Sequence, residues 1–301
     1  MPTVASALLA VPKVAPRRSV RARLFEAFSW PLTERLRGRR RVGTVSGAML
    51  VDVQAPIGRV LAVCGEWEPH VTSAFRSCLG PGDVCVDVGA HVGYYTLLAS
   101  RVVGPAGHVY AFEPVRSVFD LLAANIEANT AANVSAFGVA AGAERGTAVL
   151  YQAPGPSPTT SSLSARMLDV PHGGRAEEFV AVEVAVAPVE DMVPREAHPL
   201  VRVVKVDAEG YEIEVLRGME AILRAATRLA VFVELSPEWA SDDPARFLSA
   251  LCERHRLAPY RVPNEYSLRG FFPRRIEPPS RIARIPSERC DLVLVRGLEM
   301  T

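Results

Sequence analysis

From residue 84 onward, short apolar runs alternate with stretches in which apolar residues recur every three or four positions. The runs predict buried strands, the spaced positions predict amphipathic helices, and the alternation predicts a parallel sheet with crossover helices. Strands are expected at 84–88, 108–113, 134–140, 201–207 and 229–235, and helices at about 93–102, 116–129, 211–225 and 243–257. The strand cores around Val86 and Val204 are almost continuously apolar, as strands covered on both faces are. Two last strands are expected at 260–262 and 291–295, separated by a Pro- and Arg-rich excursion. The pattern as a whole reads as a doubly wound α/β sheet.

Ahead of this region, β-prone runs at 45–53 and 59–63 surround Pro56 and Gly58 and suggest a hairpin. Residues 1–41 are rich in Arg, with Leu24, Phe25, Phe28 and Leu32 at roughly helical spacing. They read as an amphipathic helix with a solvated basic face, or as a contact for an acidic partner. The expected division is therefore a helical and hairpin extension over 1–63 and a main domain over 64–301. Inside that domain, residues 153–178 carry Pro154, Pro156, Pro158, a Thr/Ser run and Gly173–Gly174, so a long loop insertion is expected, of the kind that often forms a lid.

Composition narrows the classes. At 49% apolar and 22% charged residues the chain is neither disordered nor built for a bilayer, and a net charge of +1 argues against nucleic acid as a partner. No uninterrupted apolar stretch reaches 18 residues, so no membrane span is expected. Five scattered cysteines form no CxxC pair, which argues against structural zinc and for a cytoplasmic, reduced protein. Oligomeric state is not legible.

The chemistry begins where the first strand should end. Asp87, Gly89 and Gly93 form a G-x-x-x-G turn at a strand–helix junction, where ligands bind in doubly wound sheets. The two glycines permit a tight turn that brings backbone close to a ligand. Twenty residues later the next strand ends in Phe112, Glu113 and Pro114, placing a carboxylate that can accept hydrogen bonds from ribose hydroxyls. A dinucleotide fingerprint would be G-x-G-x-x-G, built for a pyrophosphate, and the third glycine is missing. An acid beside the loop suits S-adenosylmethionine, with its amino-acid end and sulfonium, better than NAD. Asp87 would organise the loop and meet that end. His91 reads as shaping the turn, and of Tyr94 and Tyr95 one should pack in the core while the other faces the cofactor.

A second constellation, 205–212, ends the fourth strand and opens a helix. Glu212 and Glu214 read as a solvated acidic helix start, whereas Asp207 follows a buried strand directly. Here the chain resembles the FkbM family of methyltransferases. The hallmark is met by Lys205, Asp207, Glu209, Gly210, Glu212, Leu216 and Gly218. Further matches are the run 65–68 ahead of Pro81, Gly82 and Asp83, the run 87–96, Phe112–Glu113–Pro114, Ser161–Ser162–Leu163 and Phe232–Val233–Glu234, spanning about 60–240. One departure is Pro188–Val189–Glu190–Asp191–Met192, where the family carries a Thr-Leu-Asp-Asp type of element.

The resemblance implies a class I methyltransferase, Rossmann-like, with a mostly parallel seven-stranded sheet and an antiparallel C-terminal strand. It implies S-adenosylmethionine as cofactor and O-methylation of a hydroxyl on a small molecule such as a sugar, polyketide or other secondary metabolite. An amine, protein or nucleic-acid acceptor is the alternative, and a non-catalytic cofactor-binding scaffold is the rival of another class. Candidate cofactor contacts are Glu68, Asp87, Gly89, Ala90, Gly93, Tyr94, Glu113, Pro114, Ala140 and Asp207. Asp207 and Glu209 are the catalytic candidates, since an aliphatic hydroxyl attacks well only after losing its proton or meeting a metal. Ser161, Ser162, His172 and Glu234 are candidate substrate contacts. Asp207, Glu209 and Glu234 would suit Mg²⁺ better than zinc if a metal takes part.

Overall fold

The computed structural model describes residues 37–153, 161–169, 179–240, 242–265, 270–271, 273 and 275–300. The expected N-terminal helix lies outside the described residues. The hairpin forms earlier than its sequence suggests, as β1 (Arg39–Thr44) and β2 (Gly47–Asp52), joined in antiparallel register from Thr44↔Gly47 outward. The second apolar run, 59–63, belongs instead to α1 (Pro56–Cys64), which Pro56 opens at its first turn and Gly65 closes in the left-handed conformation. Helix α2 (Pro69–Ser77) follows.

The regular alternation then appears: β3 (Val84–Val88), α3 (Tyr94–Val103), β4 (His108–Phe112), α4 (Arg116–Ala128) and β5 (Val134–Phe137). After a smaller sheet come α5 (Val189–Met192), β10 (Val201–Val206), α6 (Glu212–Arg217), α7 (Glu220–Ala225), β11 (Leu229–Leu235), α8 (Pro244–His255), β12 (Ala258–Val262), β13 (Ser280–Arg281) and β14 (Cys290–Arg296). The main sheet has the order β13-β12-β14-β11-β10-β3-β4-β5. The five strands β11, β10, β3, β4 and β5 run parallel, and β14 inserts antiparallel between β11 and β12. The seven expected strands are thus joined by an eighth, the two-residue edge strand β13. Because the chain leaves β3 toward β4 and returns to β10 on the other side, the order reverses at β3 and β10, which leaves a crevice at their carboxyl ends.

Successive residues of these strands feed two cores, one on each sheet face. Val84, Val86, Val88, Val204 and Val206 pack with α6, α7 and α8, while Cys85, Val203 and Phe232 pack with α2, α3 and the hairpin residues Met49 and Val51. Each such fully buried Val, Leu or Phe stabilises the fold by roughly 1.5–3 kcal/mol. Asn125 of α4 ties the hairpin to this layer: its side chain accepts from Leu50 N (2.6 Å) and donates to Leu50 O (3.0 Å) and Val92 O (2.8 Å).

Two features depart from the expected pattern. The helix expected over 211–225 breaks at Gly218, whose position leaves no room for a side chain: a Cβ there would lie 1.9 Å from Gly142 O. A second sheet, of order β6-β9-β7-β8, is formed by β6 (Ala140–Ala141), β7 (Gly146–Gln152), β8 (Ser161–Ser162) and β9 (Val180–Ala187). The periodicity gave no sign of it, because β9 reads Val-Ala-Val-Glu-Val-Ala-Val-Ala with apolar residues on both faces and leaves Val180 and Val182 exposed. Among the described residues, no helix is long and apolar enough to cross a membrane.

Candidate active site

The carboxyl ends of β3, β4, β10 and β11 open into a cleft of about 340 Å³, within the range of small-molecule sites. The turn after β3 forms its floor. Gly89 has φ +74, and a Cβ on it would lie 1.9 Å from Asp207 O, so the glycine lets the turns after β3 and β10 touch. The amides of the turn are used inward. Gly89 N and Ala90 N both donate to Phe112 O at 3.0 Å, Gly93 N donates to Ala90 O at 2.8 Å, and Asp207 N donates to Val88 O at 3.1 Å. The glycines therefore lock three strand ends together, where the sequence suggested that they bring amides to a ligand.

Glu113, buried at the end of β4, accepts from His91 N and Val115 N, each at 2.9 Å and each on a different oxygen. Burial pushes its carboxyl up to about 7, the two amides oppose this, and Asp87 and Asp207 add to it. Asp87 lies behind the wall and accepts from Thr96 Oγ1 at 2.6 Å. Burial raises its pKa as well, against the pull of Lys205 and that hydroxyl. His91 has a left-handed backbone (φ 50), and burial lowers its imidazole to about 4, so it is neutral at physiological pH.

Lys205 projects from β10 to the same side as Tyr95. Its ammonium lies 2.6 Å from Asp207 Oδ2 and 4.8 Å from the centre of the Tyr95 ring. Burial alone would lower its pKa, but Asp207, Glu68 and Asp87 together raise it. Tyr95 in turn donates to Glu68 Oε2 at 2.7 Å, and Asn264 bridges Glu68 Oε1 (3.3 Å) to Asp291 Oδ2 (2.9 Å). Tyr95 is thus the tyrosine that reaches the site's polar network, while Tyr94 packs in the core beside Thr72.

The turn after β10 is ordered from below by Glu212. The sequence reads this residue as solvated, yet it is buried, and its Oε1 accepts from Ala208 N (3.1 Å) and Gly210 N (3.0 Å). Burial raises it to about 7 despite those bonds. Glu209 takes a left-handed backbone (φ 50), and Ser162 Oγ donates to its carbonyl at 2.5 Å. Burial, then the charges of Asp207, Glu234 and Glu212, push the Glu209 carboxyl well above its ordinary range.

Of the residues proposed from sequence, Glu68, Gly89, Glu113, Pro114, Ala140 and Asp207 share the cleft wall with Glu209, Ser161 and Glu234. Asp87, Ala90, Gly93 and Tyr94 stand behind it, and Ser162 acts on the backbone of Glu209. His172 lies outside the described residues. The sequence reading missed Trp67, Leu150, Tyr211 and Arg289 as parts of the wall. Arg289 donates from Nε to Glu234 Oε1 at 2.8 Å and lies 4.8 Å over the Trp239 ring. With Lys205 on Asp207 and Arg289 on Glu234, two of the three suggested metal ligands already carry cations. No group of three or more His, Cys, Asp or Glu among the described residues is arranged to hold a metal ion. The donor set does not fit Mg²⁺.

Comparison with known proteins places this site in context. The sequence pattern of the Methyltransferase FkbM domain matches residues 87–257. Methyltransferase 1 of Beauveria bassiana (strain ARSEF 2860), a curated protein, is 29% identical over 144 residues, covering 45% of this chain and 57% of that protein. Among solved structures, the Methyltransferase FkbM of Methylobacillus flagellatus KT is similar over 92% of this chain and 59% of its own, at 15% identity and a TM-score of 0.43. M. jannaschii TYW2 in complex with AdoMet is similar over 86% of both chains, at 12% identity and a TM-score of 0.43. The chain therefore spans under two thirds of the length of the curated relative and of the first of these structures.

Proposed function

The chain belongs to the FkbM methyltransferase family, and from that premise we propose that it transfers a methyl group from S-adenosylmethionine to a hydroxyl of a small molecule. One observation carries the reading: a single cleft brings Glu113 from the end of β4 and Asp207 with Glu209 from the end of β10 to either side of Gly89. When bound, the donor supplies an electrophilic methyl carbon on a positively charged sulfur. Glu113, with each oxygen fixed by a backbone amide, keeps outward lone pairs for the two ribose hydroxyls. Glu68 and Asp207 complement the donor's cationic end. Asp207, Glu209 and Glu234 also surround the space beside that charge, which is left for the acceptor's hydroxyl. Holding both reactants in line is worth roughly 7–11 kcal/mol in such displacements, so rigid anchoring of these carboxyls is itself catalytic.

Two measurements test this. Calorimetric titration should show S-adenosylmethionine and S-adenosylhomocysteine binding to the wild type, weakened by Glu113→Ala, with no binding of NAD⁺; binding of NAD⁺ alone would sink the reading. Incubation of a small-molecule extract with the protein and ¹³C-methyl S-adenosylmethionine should yield methyl signals with the carbon shifts of methyl ethers. Signals typical of N-methyl groups would instead assign an amine acceptor.

A further inference from the structure

Three carboxyl groups surround the acceptor's end of the cleft, and their surroundings fit them for different work. Asp207 is held by the enclosed ammonium of Lys205 at 2.6 Å. Taking a proton there would leave a buried ammonium without its partner, which is costly. Glu209 is enclosed among Asp207, Glu234 and Glu212, with only a weaker opposing influence from Arg289, so burial and like charges disfavour its ionised form. Glu234, at the end of β11, faces Asp207 and Glu209 from the turn after β10, Glu68 from the turn before α2, Asp291 from β14, and Arg289. Burial and Asp207 raise its carboxyl while the Arg289 guanidinium draws it back, leaving it at about 7. A proton acceptor works best with a pKa near the operating pH. Arg289 is itself fixed, lying over Trp239 and reaching Glu238 at 3.4 Å.

We propose that Glu234, positioned by Arg289, is the group that takes the proton of the acceptor hydroxyl, while Asp207, bound by Lys205, acts as a fixed charge. The proposal rests on the methyl-transfer reading above. The acceptor oxygen bonds to the methyl carbon as the carbon–sulfur bond breaks, its electron pair passes to sulfur, and the hydroxyl proton passes to the Glu234 carboxylate. Water removes that proton after the products leave. Glu234 must therefore give up a proton when positive charge enters the cleft and regain it when that charge is discharged.

S-adenosylmethionine carries one positive charge more than S-adenosylhomocysteine, so proton-linked calorimetry separates the two events. Each ligand is titrated into the full chain near pH 7 in two buffers of different ionisation enthalpy. S-adenosylmethionine should release up to about half a proton more than S-adenosylhomocysteine, since a group with a pKa of about 7 is half protonated there. Glu234→Gln should abolish the difference, with binding of S-adenosylhomocysteine reporting that the variant is folded, whereas Glu209→Gln should retain it and Asp207→Asn, which removes a charge that raises Glu234, should move the pH of greatest release downward. Arg289→Gln should move the pH of greatest release upward and Arg289→Lys should restore it; a purely structural Arg289 would weaken both ligands alike with no such movement. A difference that survives Glu234→Gln, or that disappears in Glu209→Gln, overturns the assignment. A wild type that binds neither ligand overturns the methyl-transfer reading itself, and one that binds both with equal proton release overturns only the role of Glu234.

Discussion

Glu113 shows how much one side chain carries. It holds two backbone amides separated in sequence, and its removal leaves both unpaired in a buried place, at about 1–3 kcal/mol each. Glu113→Ala should therefore lower stability by about 2 kcal/mol or more in urea unfolding, in addition to weakening the donor; an unchanged midpoint would show that water replaces the carboxylate. Glu113 was legible because it follows a strand at a fixed distance from a glycine turn. Arg289 was not, because it meets Glu234 from 55 positions away and sits in an irregular, Pro- and Arg-rich stretch. Nothing local marks an arginine as the partner of a particular carboxylate. Glu212 misled for the related reason that an acid at a helix start is ordinary on a surface, and only the turn packed above it makes this one a buried anchor.

At the scale of elements, the site depends on two interlocks. The first is the contact of the turns after β3 and β10 at Gly89. Gly89→Ala combines a left-handed backbone, costing roughly 1–2 kcal/mol for a residue with a Cβ, with a clash against Asp207 O that the turn cannot relieve without moving. The expected result is a larger loss of stability than that strain alone and no detectable binding of S-adenosylhomocysteine; a variant that binds normally would mean that the two turns are not rigidly joined. The second interlock is Asn125, which holds the β1–β2 hairpin and the carbonyl of Val92 in the donor turn at once. Asn125→Ala should cost about 2 kcal/mol or more and increase amide exchange in both β2 and the turn. Exchange confined to β2 would show that the turn is held by other means. The alternation of strands and helices was readable because short apolar runs, buried on both faces, are separated by stretches of helical spacing. The β7–β9 ribbon was not, because its apolar residues are largely exposed and no helical pattern separates its strands.

For the whole molecule, the unusual quantity is the number of carboxyl groups enclosed at the sheet's carboxyl edge. Glu113, Glu212 and Glu234 each sit at about 7 in the folded chain, mainly through burial, against an ordinary value of 4.5. The folded state therefore binds more protons than the unfolded chain between about pH 4.5 and 7, and stability should fall as pH rises through that window. Thermal unfolding of the ligand-free protein should give a higher Tm near pH 5 than near pH 8, with the slope reduced in Glu212→Gln. A Tm that rises over the same range would mean that these carboxyls are better solvated or paired than their burial implies. The strain is a reasonable consequence of a site built to receive a cation, since preorganised charge at functional positions is commonly unfavourable until the ligand arrives.

The sequence by itself determined the alternating strands and helices of the main sheet from β3 to β5 and from β10 to β12, the glycine turn, the acid at the end of β4 and the acidic motif at the end of β10. Each of these is written in neighbouring residues, through apolar periodicity or through short fixed spacings that backbone geometry requires. Only the tertiary structure decided which cation meets which carboxylate, that the turn's amides face inward, that β13 adds an eighth strand at the sheet's edge, and that a second sheet closes one side of the cleft. Those outcomes depend on contacts between distant positions in a low-dielectric interior, where the energy of a charge is set by what the fold brings beside it.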